Sequence, residues 1–262
     1  MTSISELAVA ILNSAEPWKK AELTRAAVAD APSLATGAAH PPERPARPAR
    51  PELRRPGDMP KRSTGPKGKI ALVHALAHIE LNAVDLAWDI IARFSSDADL
   101  PRAFIDDWVT VAGEEAEHFL ALDRRLNALG ATYGDLPAHD GLWKAAQSTA
   151  HDVLARLAIV PLTLEARGLD TTPATCERLR SNGDEPTAEI LDTIYRDEIK
   201  HLAIGIRWFE HVCARRGIEP ACTYRDLLAQ NFTGVLKGPF NRQARAAAGM
   251  TAAYLPPDSP HP

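Results

Sequence analysis

The sequence predicts an all-α fold built around four long helices. Apolar residues recur with helical spacing over roughly 68–95, 101–129, 141–168 and 185–216, without the alternation typical of a half-buried strand. Glycines and prolines mark the joints between these segments: Pro101, Gly130, Gly134, Pro137, Gly141, Gly168, Pro173, Gly183, Pro186 and Gly217. Helices of this length can pack side by side as a bundle around one core.

Composition places the chain among ordinary soluble proteins. Of its 262 residues 45% are hydrophobic and 24% are charged, with a formal net charge of -4, which excludes disordered, collagen-like and disulfide-scaffold proteins. There is no run of about 18 apolar residues, and Glu6 stands where a signal peptide needs a basic end, so we expect no membrane span and no secretion. Cys176, Cys213 and Cys222 form no Cys-x-x-Cys pair, which favours reduced thiols and a cytoplasmic protein.

The N-terminal part, residues 1–31, is predicted to be a small helical piece. Ser3-Ile-Ser-Glu6 fits a capping box, in which a serine and a glutamate side chain satisfy backbone N–H groups at the start of a helix. Two helical stretches follow, at about 4–14 and 18–29, separated by Pro17.

A strap rich in proline and arginine, residues 32–67, comes next. It holds nine prolines, and because proline lacks the N–H and fixes φ, the strap is predicted to run as extended chain. Between residues 41 and 70, nine basic residues accompany three acidic ones. The strap is therefore predicted either to pack along its own domain or to bind nucleic acid.

The predicted bundle spans residues 68–217 and is followed by a C-terminal extension, residues 218–262. The connection between its second and third helices, 130–140, would reach about 36 Å if fully extended, which is enough to cross the length of a bundle. This length predicts two helical hairpins with a crossover between helices 2 and 3. The extension either covers a substrate channel or clasps the bundle.

Carboxylates interrupt the apolar face of two of these helices. Glu80 in the first helix shares its face with Ala77 and Val84, and Glu165 in the third helix follows Leu162. An ionised side chain at such a position points into the core, so each of these glutamates is a candidate for a buried functional group.

The second and fourth helices each carry a Glu-x-x-His pair on the corresponding face. Glu115 precedes His118 by three residues, and Glu198 precedes His201 by three, so both members of a pair point to the same side. A lone glutamate precedes the first pair by 35 residues and the second by 33. Burying so many ionisable groups costs several kcal/mol per ion, and two divalent cations would compensate for it. The pattern therefore predicts a metal site.

This order of residues resembles the ferritin-like di-iron and di-manganese carboxylate proteins, which hold two metals on four helices with two lone glutamates and two Glu-x-x-His motifs. It is also similar to an uncharacterised bacterial branch of that superfamily over roughly residues 41–255. The similarity rests on four runs: His74-Ala-Leu-Ala-His-Ile-Glu80, Leu164-Glu-Ala-Arg-Gly-Leu-Asp170, Arg196-Asp-Glu-Ile-Lys-His201 and Lys237-Gly-Pro-Phe-Asn241. The resemblance implies a ferritin-like four-helix bundle with N-terminal helices and a C-terminal extension.

The resemblance also implies roles for individual side chains. It assigns the ligands to two metals: Glu80, Glu115 and His118 to one, and Glu165, Glu198 and His201 to the other. A glutamate from each Glu-x-x-His motif would bridge the metals. The acid before each motif, Glu114 or Asp197, would accept a hydrogen bond from the opposite imidazole and fix its tautomer.

Four further side chains near these motifs have weaker claims to the site. Tyr195, one turn before a predicted ligand, is a candidate for a redox-active or proton-donating phenol, although an aromatic residue at this position also suits core packing. His74 and His78 share a different side of the first helix and are predicted to be hydrogen-bonded packing groups. Glu117, like Glu114, is placed either inward or on the solvent face, because one helix cannot turn three neighbouring acids inward.

A carboxylate-rich donor set with two nitrogens suits iron or manganese better than zinc. The resemblance therefore implies a non-haem di-iron oxidoreductase, with manganese as the alternative metal, that uses O₂ to oxidise or hydroxylate an unidentified substrate. A tRNA-modifying hydroxylase, a dimanganese catalase and a non-catalytic ferroxidase or metal-binding protein fit the same ligands. A purely structural bundle without metal, and a monomer or a homodimer, stay open on the sequence alone.

Overall fold

The computed structural model describes residues 3–232, 234, 236 and 238–256, and this part of the chain is helical without a β-strand. The helices are α1 (Ile4–Leu12), α2 (Pro17–Asp30), α3 (Pro66–Phe94), α4 (Arg102–Ala128), α5 (Gly141–Ser148), α6 (Val153–Ile159), α7 (Arg167–Ser181), α8 (Glu185–Arg216), α9 (Pro220–Asn231) and α10 (Arg242–Ala247). A π-helical turn, Val160–Glu165, joins α6 to α7. The predicted all-α class is confirmed.

The long helices pack as two pairs around one hydrophobic core. Helix α3 lies along α4, and α7 lies along α8. The two pairs meet because α8 also contacts α4 and α6. Trp88 of α3 and Trp108 of α4 are fully buried in this core. Residues 129–140 form the connection between α4 and α5, and they contain no helix.

The third long helical segment differs from its predicted bounds of 141–168. Helix α5 ends after two turns, and a new helical run begins at Val153 and continues to Ser181. Asp152 sets this new start, because its carboxylate accepts a hydrogen bond from the N–H of Ala155 at 3.0 Å and caps the helix.

The π-helical turn, Val160–Glu165, lies inside this run. Pro161 lacks the backbone hydrogen that a regular α-helical bond requires, and the wider turn accommodates it. The hydroxyl of Thr163 donates to the carbonyl of Ala158 at 2.7 Å. Glu165 is the last residue of this turn, so it lies in a π-helical turn and not in the regular α-helix predicted for it.

The N-terminal helices pack onto the first pair: α1 contacts α3, and α2 contacts α4. The capping box formed by Ser3 and Glu6 is present at the start of α1. The second predicted helix begins at Pro17 itself, since proline at a first helical position leaves no hydrogen bond unmade.

Residues 32–65 of the strap form no α-helix, only short 3₁₀ turns, and α3 begins at Pro66, within the predicted bounds of the strap. Arg44 pairs with Asp140 at 2.5 Å, and Arg47 pairs with Asp85 at 2.7 Å, so acids of the same chain neutralise two of its cations. Backbone hydrogen bonds also join the strap to Ala138. The strap therefore packs along its own chain, and nucleic-acid binding stays a prediction.

Helix α3 is the one helix within the described ranges that is long and apolar enough to cross a membrane. Its most apolar window is 78% buried inside the structure. Such burial is typical of the core helix of a soluble protein. The cytoplasmic location stays a prediction.

The C-terminal extension adds α9 and α10, both of which contact α8. Lys237, the first residue of the run quoted above, lies outside the described residues. Asn241, its last residue, caps α10 by accepting a hydrogen bond from the N–H of Ala244 at 3.1 Å. The division of the chain after residues 31, 67 and 217 stays a prediction.

Candidate metal centre

Two clusters of side chains that can hold a metal ion lie between the helix pairs. In each cluster the possible ligand atoms lie within 4.8 Å of one another, and the clusters are Glu80, Glu115 and His118, and Glu115, Glu198 and His201. They are assembled from α3, α4 and α8. Glu115 belongs to both clusters, so the two possible metal positions are adjacent.

Glu115 lies between the two imidazoles. Its Oε2 is 3.4 Å from Nδ1 of His118, and its Oε1 is 3.0 Å from Nδ1 of His201. The centroids of the two rings are 6.0 Å apart. Each oxygen of one carboxylate therefore faces a different imidazole nitrogen.

The outer nitrogen of each imidazole contacts an acid from the opposite pair of helices. Nε2 of His118 lies 3.1 Å from Oδ2 of Asp197, and Nε2 of His201 lies 2.7 Å from Oε2 of Glu114. An imidazole that donates from Nε2 keeps Nδ1 for a metal. Lys200 contacts both acids, with Nζ at 2.7 Å from Asp197 and 3.8 Å from Glu114.

The other three carboxylates differ in how closely they approach the imidazoles. Oε2 of Glu80 is 3.3 Å from Nδ1 of His118, and Oε2 of Glu198 is 3.9 Å from Nδ1 of His201. Glu165 belongs to neither cluster, but its charge interacts with that of His201. The structure thus brings most of the predicted ligands together and places Glu165 beside them; their roles as ligands stay a prediction.

Burial separates the pKa values of the four carboxyl groups. Burial and the charge of Glu115 raise the pKa of Glu80 to about 8, and the same two causes raise that of Glu165 to about 8. They also raise the pKa of Glu198 well above its usual range. Burial acts on Glu115 too, but its contacts with both imidazoles outweigh burial and hold its pKa below the usual range. The pKa of Glu115 is therefore shifted in the opposite direction to the pKa values of the three acids around it.

The two imidazoles carry the balancing charge. Burial lowers the pKa of His118, but its contacts with Asp197 and Glu115 outweigh burial and raise the pKa far above its usual value. Burial also opposes charge on His201, whose contacts with Glu114 and Glu115 raise its pKa in the same way. The acids of this region thus stabilise positive charge at two neighbouring points.

Three further side chains considered in the sequence analysis, Glu117, His74 and His78, belong to neither cluster. Glu117 is half exposed and pairs with an arginine of α2, the helix that packs on α4. His74 accepts a hydrogen bond from the N–H of Gly134 at 3.0 Å, and His78 bonds the hydroxyl of Tyr133 at 2.7 Å. Both histidines are packing groups that hold the connection after α4.

The Tyr195 hydroxyl lies against the C-terminal extension, where it accepts a hydrogen bond from Nδ2 of Asn241 at 2.9 Å. The backbone N–H of Asn241 donates to Asp170 at 2.9 Å, and the buried guanidinium of Arg245 pairs with the same carboxylate at 2.8 Å. These contacts clasp the extension onto α7 and α8. Sequence reasoning missed them, because nothing local pairs an aspartate with an arginine so far along the chain.

A cavity of about 750 Å³ opens beside the clusters, between α2, α4 and α8. Its lining includes the charged or ionisable side chains of His118, Glu114 and Asp197, and the apolar ones of Val28, Ala121, Ile190 and Ile194. Nε2 of His118 meets Asp197, while Nδ1 faces the carboxylates of the first cluster. The cavity therefore adjoins the outer side of the imidazole.

Comparison with known proteins gives two matches. The family described as "Protein of unknown function (DUF455)" matches residues 13–256. An uncharacterized protein from Haemophilus influenzae is 43% identical over 211 residues, which cover 79% of this chain and 73% of that protein. No solved structure matches the chain. The matched region includes every residue of the two clusters.

Proposed function

Because this chain belongs to the DUF455 family, whose description names no activity, we propose a function from the geometry of the candidate metal centre. The chain is a ferritin-like carboxylate protein that holds two iron ions, or manganese ions in their place. With O₂ as co-substrate it oxidises or hydroxylates a bound substrate. The position of Glu115 between His118 and His201 carries the proposal, because a carboxylate with one oxygen toward each of two ligand nitrogens is suited to bridge two cations.

The side chains present fit a pair of divalent metal ions. Nδ1 of His201 is buried without a well-aligned hydrogen bond, and a buried polar atom of this kind costs about 1–3 kcal/mol unless a partner satisfies it. A metal ion would be that partner and would take the place of the Nδ1 proton. A bound metal ion would also lower the raised pKa values of Glu80, Glu165 and Glu198, since a nearby cation favours the ionised form of a carboxyl group.

The donor set favours iron or manganese. Glu80, Glu115 and His118 would hold one ion, and Glu198, His201 and the shared Glu115 the other, with Glu165 completing the second set. Oxygen donors with few nitrogens suit these metals, whereas zinc prefers more histidine or cysteine ligands. When bound, two iron ions supply the electrons that reduce O₂.

The chain's own residues orient the ligands. Asp197 and Glu114 accept the Nε2–H of the opposite imidazoles, which fixes each ring and its tautomer. Lys200 contacts both acids and so links the two supports. Burial of the clusters keeps bulk water away from the carboxylates, where charge interactions are stronger than at the surface.

The alternative functions differ in what they require of the chain outside the metal ligands. A tRNA-modifying hydroxylase would use the strap to follow phosphates, but Arg44, Arg54 and Arg55 of the strap already pair with acids of the same chain. A dimanganese catalase or a ferroxidase would use the same ligands without an organic substrate. The cavity of about 750 Å³ between α2, α4 and α8 offers room for a small molecule beside the clusters, which favours the oxidoreductase.

Elemental analysis of the purified full chain tests the proposal. We expect about two iron or manganese ions per chain in the unmodified protein, and their loss in Glu115→Ala and in His201→Ala. Glu117→Ala is the matched control, since this glutamate lies on the same helix but faces solvent, and it should keep the full metal content. Folded protein that takes up neither Fe(II) nor Mn(II) would contradict the proposal.

Activity assays on the loaded protein separate the alternatives. Consumption of O₂ by the Fe(II) form supports the oxidoreductase. Disproportionation of peroxide by the Mn(II) form without O₂ chemistry indicates a catalase, and uptake of many irons per chain indicates a ferroxidase. Salt-sensitive binding of RNA would indicate the tRNA-modifying hydroxylase.

A further inference from the structure

A second buried group of charges lies under the strap, away from the candidate metal centre. Nζ of Lys20 is 2.5 Å from Oδ1 of Asp85, and Nη2 of Arg47 is 2.7 Å from Oδ2 of the same carboxylate. Lys20 and Asp85 are fully buried, and the Arg47 side chain is 22% exposed. Two cations share one anion, so the group carries a net positive charge.

Arg47 has N–H donors to spare. Its Nη2 donates to Oδ1 of Asn82 at 2.8 Å. The same nitrogen forms an ion pair with Oδ2 of Asp85 without an aligned hydrogen bond, and the guanidinium contacts the hydroxyl of Tyr133. A guanidinium carries five N–H donors in a planar fork. Some of these donors therefore have no acceptor within the part of the chain that the structure describes.

Arg47 lines a cavity of about 310 Å³ between the strap and the connection after α4. His78 and Tyr133 also line it, and the apolar lining comes from the strap: Pro48, Ala49, Pro51 and Leu53. His78 has no donor free, because Nδ1 bonds Tyr133 and Nε2 meets the carbonyl of His139. Arg47 is therefore the group that can donate into the cavity.

Two carboxylates also line this cavity, and each has a cation of its own. Glu52 pairs with Arg54 at 2.6 Å, and Asp140 pairs with Arg44 at 2.5 Å. Neither carboxylate therefore neutralises Arg47. The positive charge that Lys20 and Arg47 hold in excess over Asp85 remains next to the cavity.

We propose that this cavity binds a small oxyanion, a carboxylate or phosphate group on a compact body, through Arg47. The planar fork of a guanidinium matches two oxygens of such a group, and a charge-assisted pair of this kind is strong. Asp85 and Lys20 hold the guanidinium in place, so little ordering is needed on binding. None of the six predicted metal ligands lines the cavity, and the site is separate from the candidate metal centre.

Isothermal titration calorimetry of the full chain tests the proposal, with inorganic phosphate and benzoate as the two probes. We expect saturable binding of one anion per chain, and tighter binding of one probe assigns the group as phosphate or as carboxylate. Ala49→Trp fills the cavity from its exposed rim and should weaken binding by about tenfold or more. Arg47→Lys keeps a charge beside Asp85 but lacks the fork, and should weaken it by about the same factor.

Lys144→Gln is the control, since this exposed cation lines the adjacent cavity and not this one. It should leave the affinity within about twofold, because an exposed cation that lines a different cavity contributes little to binding in this one. Circular dichroism establishes that each variant is folded, and Ala49→Trp decides alone if Arg47→Lys does not fold. Absence of binding of both probes to the unmodified chain, unchanged binding in folded Ala49→Trp, or an equal loss in Lys144→Gln would overturn the proposal.

Discussion

Oε1 of Glu115 on α4 lies 3.0 Å from Nδ1 of His201 on α8. The other oxygen of the same carboxylate faces His118, one turn further along α4. A single side chain therefore connects the two halves of the candidate metal centre. Of the four predicted carboxylate ligands it alone has a pKa held below the usual range, because both imidazoles stabilise its charge.

Replacement of this central carboxylate should remove both metals, whereas replacement of an outer one should remove about half. Glu115→Gln keeps the size of the side chain but cannot bridge two cations with charge, so we expect little bound metal. Glu80→Gln affects one cluster only, and we expect about one metal per chain to remain. Metal content after loading with Mn(II) measures both effects. Full retention in Glu115→Gln, or an equal loss in Glu117→Gln, would contradict the assignment.

The acids that contact the outer imidazole nitrogens should tune affinity without being ligands. Asp197→Asn and Glu114→Gln each replace the charged acceptor of an imidazole N–H by a neutral amide, and we expect metal affinity to fall by about 10- to 100-fold. Lys200→Met should have a smaller effect, because its ammonium is largely exposed. Competition with a chelator of known affinity measures all three. The prediction is wrong if Lys200→Met lowers the metal affinity more than Asp197→Asn or Glu114→Gln does.

Metal binding should strengthen as the pH rises toward about 8. The carboxyl groups of Glu80 and Glu165 have pKa values raised to about 8, so below that pH a metal ion must displace their protons. The same raised pKa values mean that the free energy of unfolding of the metal-free protein falls as the pH rises from about 4.5 to about 8. The unfolded chain loses these protons near the ordinary glutamate pKa of 4.5, whereas the folded chain keeps them up to about 8. Thermal unfolding with and without Mn(II) across this range measures both trends. The prediction is wrong if the increase in unfolding temperature caused by Mn(II) becomes smaller as the pH rises.

The clasp between the C-terminal extension and α7 should be a large contributor to stability. Arg245 and Asp170 are both 1% exposed, and Arg245→Leu leaves a buried carboxylate with one partner fewer, at a cost of about 3–5 kcal/mol. The control is Arg215→Ala, which breaks an exposed pair with Asp99 at a cost of about 0–1 kcal/mol. Urea unfolding gives both values. An equal loss of unfolding free energy in the two variants would contradict the prediction that the buried pair contributes more than the exposed one.

Tyr195→Phe separates a structural from a chemical role for this phenol. It removes the hydrogen bond from Asn241, so we expect the free energy of unfolding to fall by about 1 kcal/mol. Metal content should not change, since the hydroxyl is directed to the C-terminal extension. A loss of O₂ consumption at full metal content and near-normal stability would instead assign the phenol a part in the chemistry.

The helix ends were predicted best where a residue near the end itself starts or terminates the helix. Helix α8 begins beside Pro186 and ends at Gly217, whose φ of 68° suits a residue without a side chain. The third segment was predicted less well, because Asp152 starts a new helix there and Pro161 opens a π-helical turn. Helical periodicity assumes a regular turn, so it could not predict the π-helical turn in which Glu165 lies.

The residue types and spacings by themselves predicted the all-α class and pointed to the five side chains of the two clusters, because periodicity and Glu-x-x-His spacing are local properties of a helix. Only the tertiary structure decided that Glu115, and not Glu198, lies in both clusters. It also decided that Asp85 serves two cations and that Asp170 clasps the extension. The physical reason is that the energy of a buried charge depends on partners brought from distant segments and on the exclusion of water around them.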